Sequence, residues 1–223
     1  MKKVILVLSF LIIGFASKAQ DYSFPTNANG DYEFSEVIES NLSKSALYSN
    51  AKAWVVETFG NYKAVVQYES ESEGRLVIKG YHEDMKPKIV KDSWFKYESA
   101  YFKITIDCKE HKYRYRINDI VLKEVKNYTY SGNDYDSDVT HEEHIRKLEF
   151  AQSKKQRAMQ ELETAKNTLK GNKLRKETER ITNIISDNDE EIEYENDMYK
   201  AEFLFFDLLS KAIKKRMAVD DDF

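Results

Sequence analysis

The chain of 223 residues carries 35 basic and 39 acidic side chains, so that one third of it is charged and its formal net charge is −4. It contains only 7 Gly, 2 Pro and 1 Cys, but 15 Tyr and 12 Phe. This composition excludes a collagen-like chain, a disulfide-stapled small domain and a Pro/Gly-rich disordered polymer, and its aromatic content is typical of a chain with a packed core.

The first element of the chain is predicted to be a secretory signal peptide over residues 1–19. Lys2 and Lys3 form a basic start, residues 4–15 are an apolar run, and small residues at positions 17 and 19 match the pattern that signal peptidase reads. The run is shorter than the roughly 20 residues that cross a bilayer, so a membrane anchor is the weaker interpretation. We therefore expect an exported mature chain, periplasmic or secreted, with no membrane span.

Export leaves Cys108 as a lone thiol in an oxidising compartment, where no internal disulfide can form. This residue alternates with apolar residues of a predicted strand, so we expect a buried and unreactive thiol. The acidic balance of the chain also makes it a poor candidate for binding a polyanion over its whole surface, and no nucleic-acid partner is predicted.

The region 20–128 is predicted to be an α+β domain. Its apolar residues mostly alternate, as in strands, from a first strand near 32–38 to two hairpins over 62–81 and 101–122. One helix is embedded after the first strand, between an N-cap residue at Ser43 and a stop at Gly60. The order of strand, helix and four strands predicts one helix packed on one antiparallel sheet.

Several segments of this region, taken in order, resemble one exported bacterial family. They are SKSALY at 43–48, AKAW at 51–54, ETF at 57–59, VVQYE at 65–69, GRLVIKG at 74–80 and KYRYR at 112–116. Together they resemble the domain-of-unknown-function family 4468 over about residues 31–125. The resemblance implies a TBP-like fold, a curved antiparallel sheet backed by helices, in a secreted or periplasmic protein. The family has no established catalytic residues to transfer, and the name of its fold does not imply DNA binding.

The rest of the chain has a different period. Residues 129–140 are polar and rich in turn formers, which predicts a linker. From 141 to 223 the apolar spacing is helical, which predicts an extension of two or three antiparallel helices, a helical hairpin or a short coiled coil. Within it Phe203, Phe206 and Leu209 are predicted to contact either the rest of the chain or a second subunit, because an apolar helix face must be covered.

Two short patterns have some of the features of metal sites without meeting the requirements. Residues 134–138 space three Asp as in a calcium loop, but Val139 and Ile145 stand where an EF-hand needs Gly and Glu. His141 and His144 are three residues apart, whereas the helical zinc motif spaces its histidines by four, so a polar helix start is favoured over zinc binding. The sequence therefore predicts no metal site and no cofactor.

One surface is a candidate for binding, namely the face of the predicted sheet that is turned away from its helix. Alternation predicts that side chains 64, 66 and 68 face the helix and that the intervening positions face away. The outward set is basic and includes Arg75, Lys79, Lys103, Arg114 and Arg116. It would suit an anionic ligand or partner, although a solvated face, or one covered by the later helices, is the simpler interpretation.

The favoured function is a non-catalytic exported protein that serves binding or structure in the bacterial envelope. Its partner would be an unidentified protein, or a second copy met through the helical extension. No G-x-S-x-G motif and no Gly-rich phosphate-binding loop occur in the sequence. The alternative is a hydrolase or another enzyme that uses the open sheet face, because catalytic groups can be assembled in space without a motif.

Overall fold

The computed structural model describes residues 22–83, 88–90, 94–128 and 134–220, with the backbone alone at 88–90, 94–97, 125–128 and 134–137. The predicted signal peptide lies outside these residues. In chain order the elements are β1 Phe34–Glu39, α1 Lys44–Phe59, α2 Tyr62–Val65, β2 Val66–Ser70, β3 Arg75–His82, β4 Lys88–Val90, β5 Trp94–Lys109, β6 Lys112–Tyr128, β7 Asp134–Val139, α3 His141–Thr168 and α4 Gly171–Met217.

The described strands form one antiparallel sheet of seven strands. Five of them follow the order β1-β6-β5-β3-β2, while β4 pairs with β5 and β7 pairs with β6. The two long central strands β5 and β6 turn at Glu110 and His111, and the positive φ of 58° at His111 allows this tight connection. The prediction of an antiparallel sheet with a packed helix is confirmed, although the sheet has more strands than the sequence predicts.

One of the additional strands corrects the predicted linker over 129–140. Residues 134–139 form β7, whose backbone pairs with 122–127 of β6. The ladder hydrogen bonds of a strand are made by the backbone, so a polar segment can extend a sheet without an alternating apolar pattern. The acidic run that resembles part of a calcium loop lies in this strand.

The helix α1 begins and ends where the sequence predicts. The Ser43 side chain accepts a hydrogen bond from the backbone N–H of Ala46 at 3.2 Å, and the N–H of Gly60, which has a φ of 69°, donates to the carbonyl of Val56 at 3.0 Å. Its buried side chains contact the inner face of the sheet; they include Leu47, Ala51, Trp54 and Val55.

The hairpin predicted over 62–81 is wrong at its start, where residues 62–65 do not form a strand. Tyr62–Val65 form a short helix, which the Asn61 side chain caps by accepting a hydrogen bond from the N–H of Ala64 at 3.2 Å. The register of β2 then shifts between Val66 and Tyr68. As a result Tyr68 points outward and is 44% exposed, contrary to the predicted alternation.

A single hydrophobic core joins the two regions that the sequence separates. On the sheet it consists of fully buried side chains such as Leu76, Ile78, Ile104, Ile106 and Ile117, and on α4 of Met198, Phe206, Ile213 and Met217. The prediction that Cys108 is buried is confirmed, since its side chain is 1% exposed, and burial raises the pKa of its thiol to about 12.

The helices α3 and α4 form the predicted helical hairpin, with Gly171 at the turn. The extension therefore has two helices, and the second, α4, is one continuous helix of 47 residues. Far from the sheet the hairpin holds a small core of its own, formed by Ala158, Ala165 and Ile181. Among the described residues, no helix combines the length and the apolar character that a membrane span requires.

Candidate functional site

Five ionisable side chains are enclosed between the sheet and the base of the helical hairpin. We call them the buried cluster: His141 and His144 of α3, Glu195 and Glu202 of α4, and Glu98 of β5. None of the five is more than 1% exposed. Burying so many ionisable groups costs free energy unless they are paired or bind an ion, so the arrangement calls for a functional explanation.

The start of α3 places both histidines in the cluster. The backbone N–H of Thr140 donates to the Glu143 carboxylate at 2.7 Å, which fixes the first helical turn. Residues three apart lie on the same side of a helix, so His141 and His144 face the sheet together. The predicted polar helix start is confirmed, but its histidines are buried.

The carboxylates come from two other elements. Glu195 and Glu202 are seven residues apart on α4, which is close to two helical turns, so both project from one face toward α3. Glu98 lies on the inner face of β5, opposite Glu124 of β6. Lys147 of α3 donates to Glu124 at 3.2 Å, a second ionic contact between the hairpin and the sheet.

His144 is the centre of the buried cluster. Its Nδ1 lies 2.5 Å from Oε2 of Glu195, and its Nε2 lies 3.2 Å from Oε2 of Glu98. Two further oxygens, Oε1 of Glu98 and Oε1 of Glu202, lie 3.0 and 3.1 Å from the same Nε2. A ring nitrogen carries one proton at most, so Nε2 cannot satisfy all of these oxygens. Neither Oε1 atom has a hydrogen-bond partner among the described residues.

The environment shifts the pKa values of three groups in the cluster. Burial by itself lowers the pKa of His144, but its interactions with the carboxylates of Glu195, Glu202 and Glu98 outweigh burial and raise the pKa to about 11. Burial also works against the charged form of Glu202, yet the hydrogen bond from His141 and the nearby ring of His144 outweigh burial and lower the pKa to about 2. Burial is the main reason that the pKa of Glu98 rises to about 7.

His141 holds Glu202 in place from the other side. Its Nδ1 is hydrogen-bonded to Oε2 of Glu202, and its Nε2 donates to the backbone carbonyl of Tyr22 at 3.0 Å. The ring lies between two aromatic rings, with centroid distances of 3.8 Å to Phe24 and 4.1 Å to Tyr199. These contacts fix the orientation of the imidazole and of the carboxylate that it binds.

Three members of the cluster have the arrangement of metal ligands. One donor atom from each of Glu98, His144 and Glu202 can be chosen so that all three lie within 4.8 Å of one another. The sequence prediction missed this set because its residues lie on three elements far apart in the chain. The available signals were the two histidines at the start of α3 and the carboxylate of Glu202 beside the apolar run 203–206.

The predicted binding surface lies on the opposite side of the sheet, which is open to solvent. We call it the open face; its charged members are Arg75, Lys79, Lys103, Asp107, Arg114 and Arg116, and its aromatic members are Tyr81 and Tyr101. All five predicted basic residues are brought together there by the registers of β3, β5 and β6. The later helices pack on the inner face, so they do not cover this surface.

Much of the charge on the open face is organised around one carboxylate. Asp107 accepts hydrogen bonds from Nε of Arg75 at 2.7 Å and from Nη2 of Arg114 at 2.8 Å, and it lies 3.5 Å from Nη2 of Arg116. Burial alone would raise the pKa of Asp107, but Arg114 and Arg75 outweigh it, and the pKa lies below its ordinary value. Nearby, Lys103 pairs with Asp119 at 2.5 Å.

The three apolar residues singled out on α4 contact the rest of the same chain. Phe206 is fully buried and its ring lies 5.5 Å from that of Phe34. Leu209 is buried in the same core, and Phe203 is half-buried with its ring 5.8 Å from that of Tyr22. Of the two contacts that the sequence leaves open, the described residues form the intramolecular one.

Comparison with known proteins supports the predicted domain. The profile of the domain-of-unknown-function family DUF4468, described as having a TBP-like fold, matches residues 34–123. The predicted resemblance is therefore confirmed for this part of the chain. The match ends before α3, so the helical hairpin and most of the buried cluster lie outside it.

Two solved structures are similar to this chain. A DUF4468 family protein from Bacteroides ovatus is 16% identical with a TM-score of 0.37, and the alignment covers 51% of this chain and 64% of that one, so this chain spans less than two thirds of its length. A TBP-like protein from Parabacteroides distasonis is 13% identical with a TM-score of 0.47, covering 86% of this chain and 96% of that one. No curated protein matches the chain.

Proposed function

We propose that this protein is an exported, non-catalytic binding module of the bacterial envelope, periplasmic or secreted, whose open face binds an acidic segment of a partner protein. Export is supported by the signal-peptide pattern of residues 1–19. The observation that carries the binding proposal is the convergence of three arginines on the single carboxylate of Asp107, on a sheet face open to solvent.

This convergence leaves positive charge uncompensated. Within the described residues, four of the five basic side chains of the open face are paired with only two acids, Asp107 and Asp119. The surplus is local, because the whole chain has a net charge of −4. An acidic partner would be steered toward this face by charge complementarity.

The chemistry of the face favours carboxylates. Guanidinium groups can match carboxylates through paired N–H donors, and Arg75 and Arg114 each already donate one hydrogen bond to the carboxylate of Asp107. Beside them the rings of Tyr81 and Tyr101 lie 4.6 Å apart and are half exposed, and Lys123 lies 5.8 Å from the Tyr101 ring. Tyrosine and arginine together are the residue types enriched where proteins bind one another.

The binding proposal is tested with a fluorescently labelled ten-residue polyglutamate peptide and anisotropy measurements. The double variant Arg114→Gln/Arg116→Gln removes two charges from the open face, and we expect it to weaken binding at least tenfold. The control Lys173→Gln/Lys176→Gln removes two charges from exposed positions at the start of α4 and should change binding less than threefold. Circular dichroism checks that both variants fold.

Three outcomes would contradict the proposal. The first is a wild-type protein that binds neither the peptide nor polygalacturonate. The second is an equal loss of binding in both double variants, which would show that net charge alone is responsible. The third is a wild-type protein that binds polygalacturonate and not the peptide. The last result would assign the face to an acidic polysaccharide. The proposed localisation is tested separately by fractionation and mass spectrometry, which should find a chain beginning at Gln20 outside the cytosol; a cytosolic chain with residues 1–19 intact would overturn it.

A further inference from the structure

The buried cluster brings donor atoms from a strand and two helices to one enclosed point. Glu98, His144 and Glu202 are all fully buried, and their ligand atoms lie within 4.8 Å of one another. We propose that these three side chains bind a divalent transition-metal ion, which fastens the helical hairpin to the sheet.

The first argument is the number of acceptors around one nitrogen. Three carboxylate oxygens lie between 3.0 and 3.2 Å from Nε2 of His144, and a single proton there can serve only one of them well. A cation placed between the nitrogen and the carboxylates would contact both acids at once. With bond lengths of about 2.0–2.2 Å to nitrogen and oxygen, tetrahedral ligand atoms lie roughly 3.4 Å apart, so a small outward shift is sufficient.

The second argument comes from the two orphaned oxygens. Oε1 of Glu98 and Oε1 of Glu202 are buried and have no hydrogen-bond partner among the described residues. Buried carboxylate oxygens without a partner are costly, and metal coordination is one of the few ways to compensate them. Both atoms belong to residues of the proposed ligand set.

The third argument is the support around the ligands. Nδ1 of His144 is hydrogen-bonded to Oε2 of Glu195 at 2.5 Å, while Oε2 of Glu202 is hydrogen-bonded to His141. A metal-bound histidine nearly always donates its other N–H to a carboxylate or carbonyl, which fixes the ring and its tautomer. Glu195 and His141 are thus positioning residues for the two ligands that they contact.

The donor set and its burial limit the kind of ion and its role. Imidazole together with carboxylates suits Zn²⁺, Fe²⁺ or Mn²⁺, whereas Ca²⁺ and Mg²⁺ prefer oxygen ligands. The ligands are 0% exposed, so a substrate in solution has no access to an ion held by them. The ion would therefore hold β5, α3 and α4 together and not process a substrate.

The test uses the purified protein, stripped with a chelator and then dialysed against Zn²⁺ as the probe. We expect one zinc per chain by elemental analysis, and with Co²⁺ a visible absorption spectrum that reports nitrogen and oxygen ligands. The variants Glu202→Gln and Glu98→Gln keep the side-chain volume and should each lower zinc affinity at least a hundredfold. The control His111→Asn removes an exposed histidine from a turn where Asn tolerates the positive φ, and it should bind zinc like the wild type.

A second measurement, the thermal stability of the wild-type protein with and without zinc, does not depend on whether a variant folds. For the wild type, zinc at about a hundredfold its dissociation constant should raise the melting temperature by roughly 5–10 °C, whereas Ca²⁺ should not. The proposal is overturned if the stripped wild type takes up no stoichiometric zinc, if Ca²⁺ stabilises it equally, or if a folded Glu202→Gln variant retains the affinity. Loss of binding by His111→Asn alone would also overturn it, by assigning the zinc to the surface.

Discussion

The arginine network around Asp107 on the open face and the buried cluster that includes Glu98 share the strand β5, but they differ in their access to water. Asp107 and Glu98 are nine residues apart on β5, and the odd separation places them on opposite faces of the sheet. The Asp107 side chain is 14% exposed and binds arginines that are between 31 and 44% exposed, whereas Glu98 and its partners in the buried cluster are sealed from solvent. Similar pairings therefore have very different energetic consequences, because water screens one cluster and not the other.

The largest effect is expected from breaking the buried cluster. His144→Ala leaves Glu98, Glu195 and Glu202 without their common donor, so we expect the metal-free protein to lose about 3–5 kcal/mol of unfolding free energy. Urea unfolding in the presence of a chelator, followed by circular dichroism, measures this loss. The exposed replacement His111→Asn serves as the control and should leave the unfolding free energy unchanged. A loss below about 1 kcal/mol for His144→Ala would mean that the buried cluster stabilises the fold no more than an exposed ion pair does.

A smaller effect is expected from breaking the exposed network. Asp107→Asn removes the carboxylate that three arginines share, but those arginines remain hydrated, so the expected loss is about 0.5–1 kcal/mol at neutral pH and low salt. In 1 M NaCl the loss should shrink, because screening acts on exposed charges, whereas the loss caused by His144→Ala should persist. Equal salt sensitivity of the two variants would contradict the comparison.

The same variant gives a pH dependence of known sign. The pKa of Asp107 is lowered in the folded protein from its ordinary value of 3.8, so its pairing stabilises the fold above that pH. The contribution is lost as the pH falls through the lowered pKa, because the carboxyl group becomes protonated. The difference between wild type and Asp107→Asn should thus be constant from pH 7 to about 5 and shrink as the pH falls below 3.8. A difference that grows on acidification would contradict this assignment.

The smallest effect is expected at the edge of the open face. Lys103 pairs with Asp119, but the two side chains are 32 and 62% exposed. Lys103→Ala should change the unfolding free energy by less than about 0.5 kcal/mol, because exposed ion pairs contribute little. Thermal unfolding measures this change. A loss of unfolding free energy as large as that of His144→Ala would contradict the expectation that exposed pairs contribute little.

Part of this structure could be predicted from local patterns. The cap at Ser43 and the stop at Gly60 determine α1 through hydrogen bonds within a few residues, and both were recognisable. The strand alternation of β3, β5 and β6 placed the five basic residues on one face correctly. The register shift beside Tyr68 and the pairing of 134–139 were missed, because they depend on how strands meet and not on residue type.

The sequence by itself determined the elements whose signals are local: the caps of α1, the alternating strands, the helical period after His141 and the segments that resemble the DUF4468 family. Only the tertiary structure decided that α4 completes the core of the sheet and that Glu98, His144 and Glu202 meet. Helical and strand periods are properties of neighbouring residues, whereas a cluster assembled from positions more than forty residues apart exists only once the chain has packed. The same packing excludes water from those side chains, and this exclusion distinguishes them from the many solvated charges elsewhere in the chain.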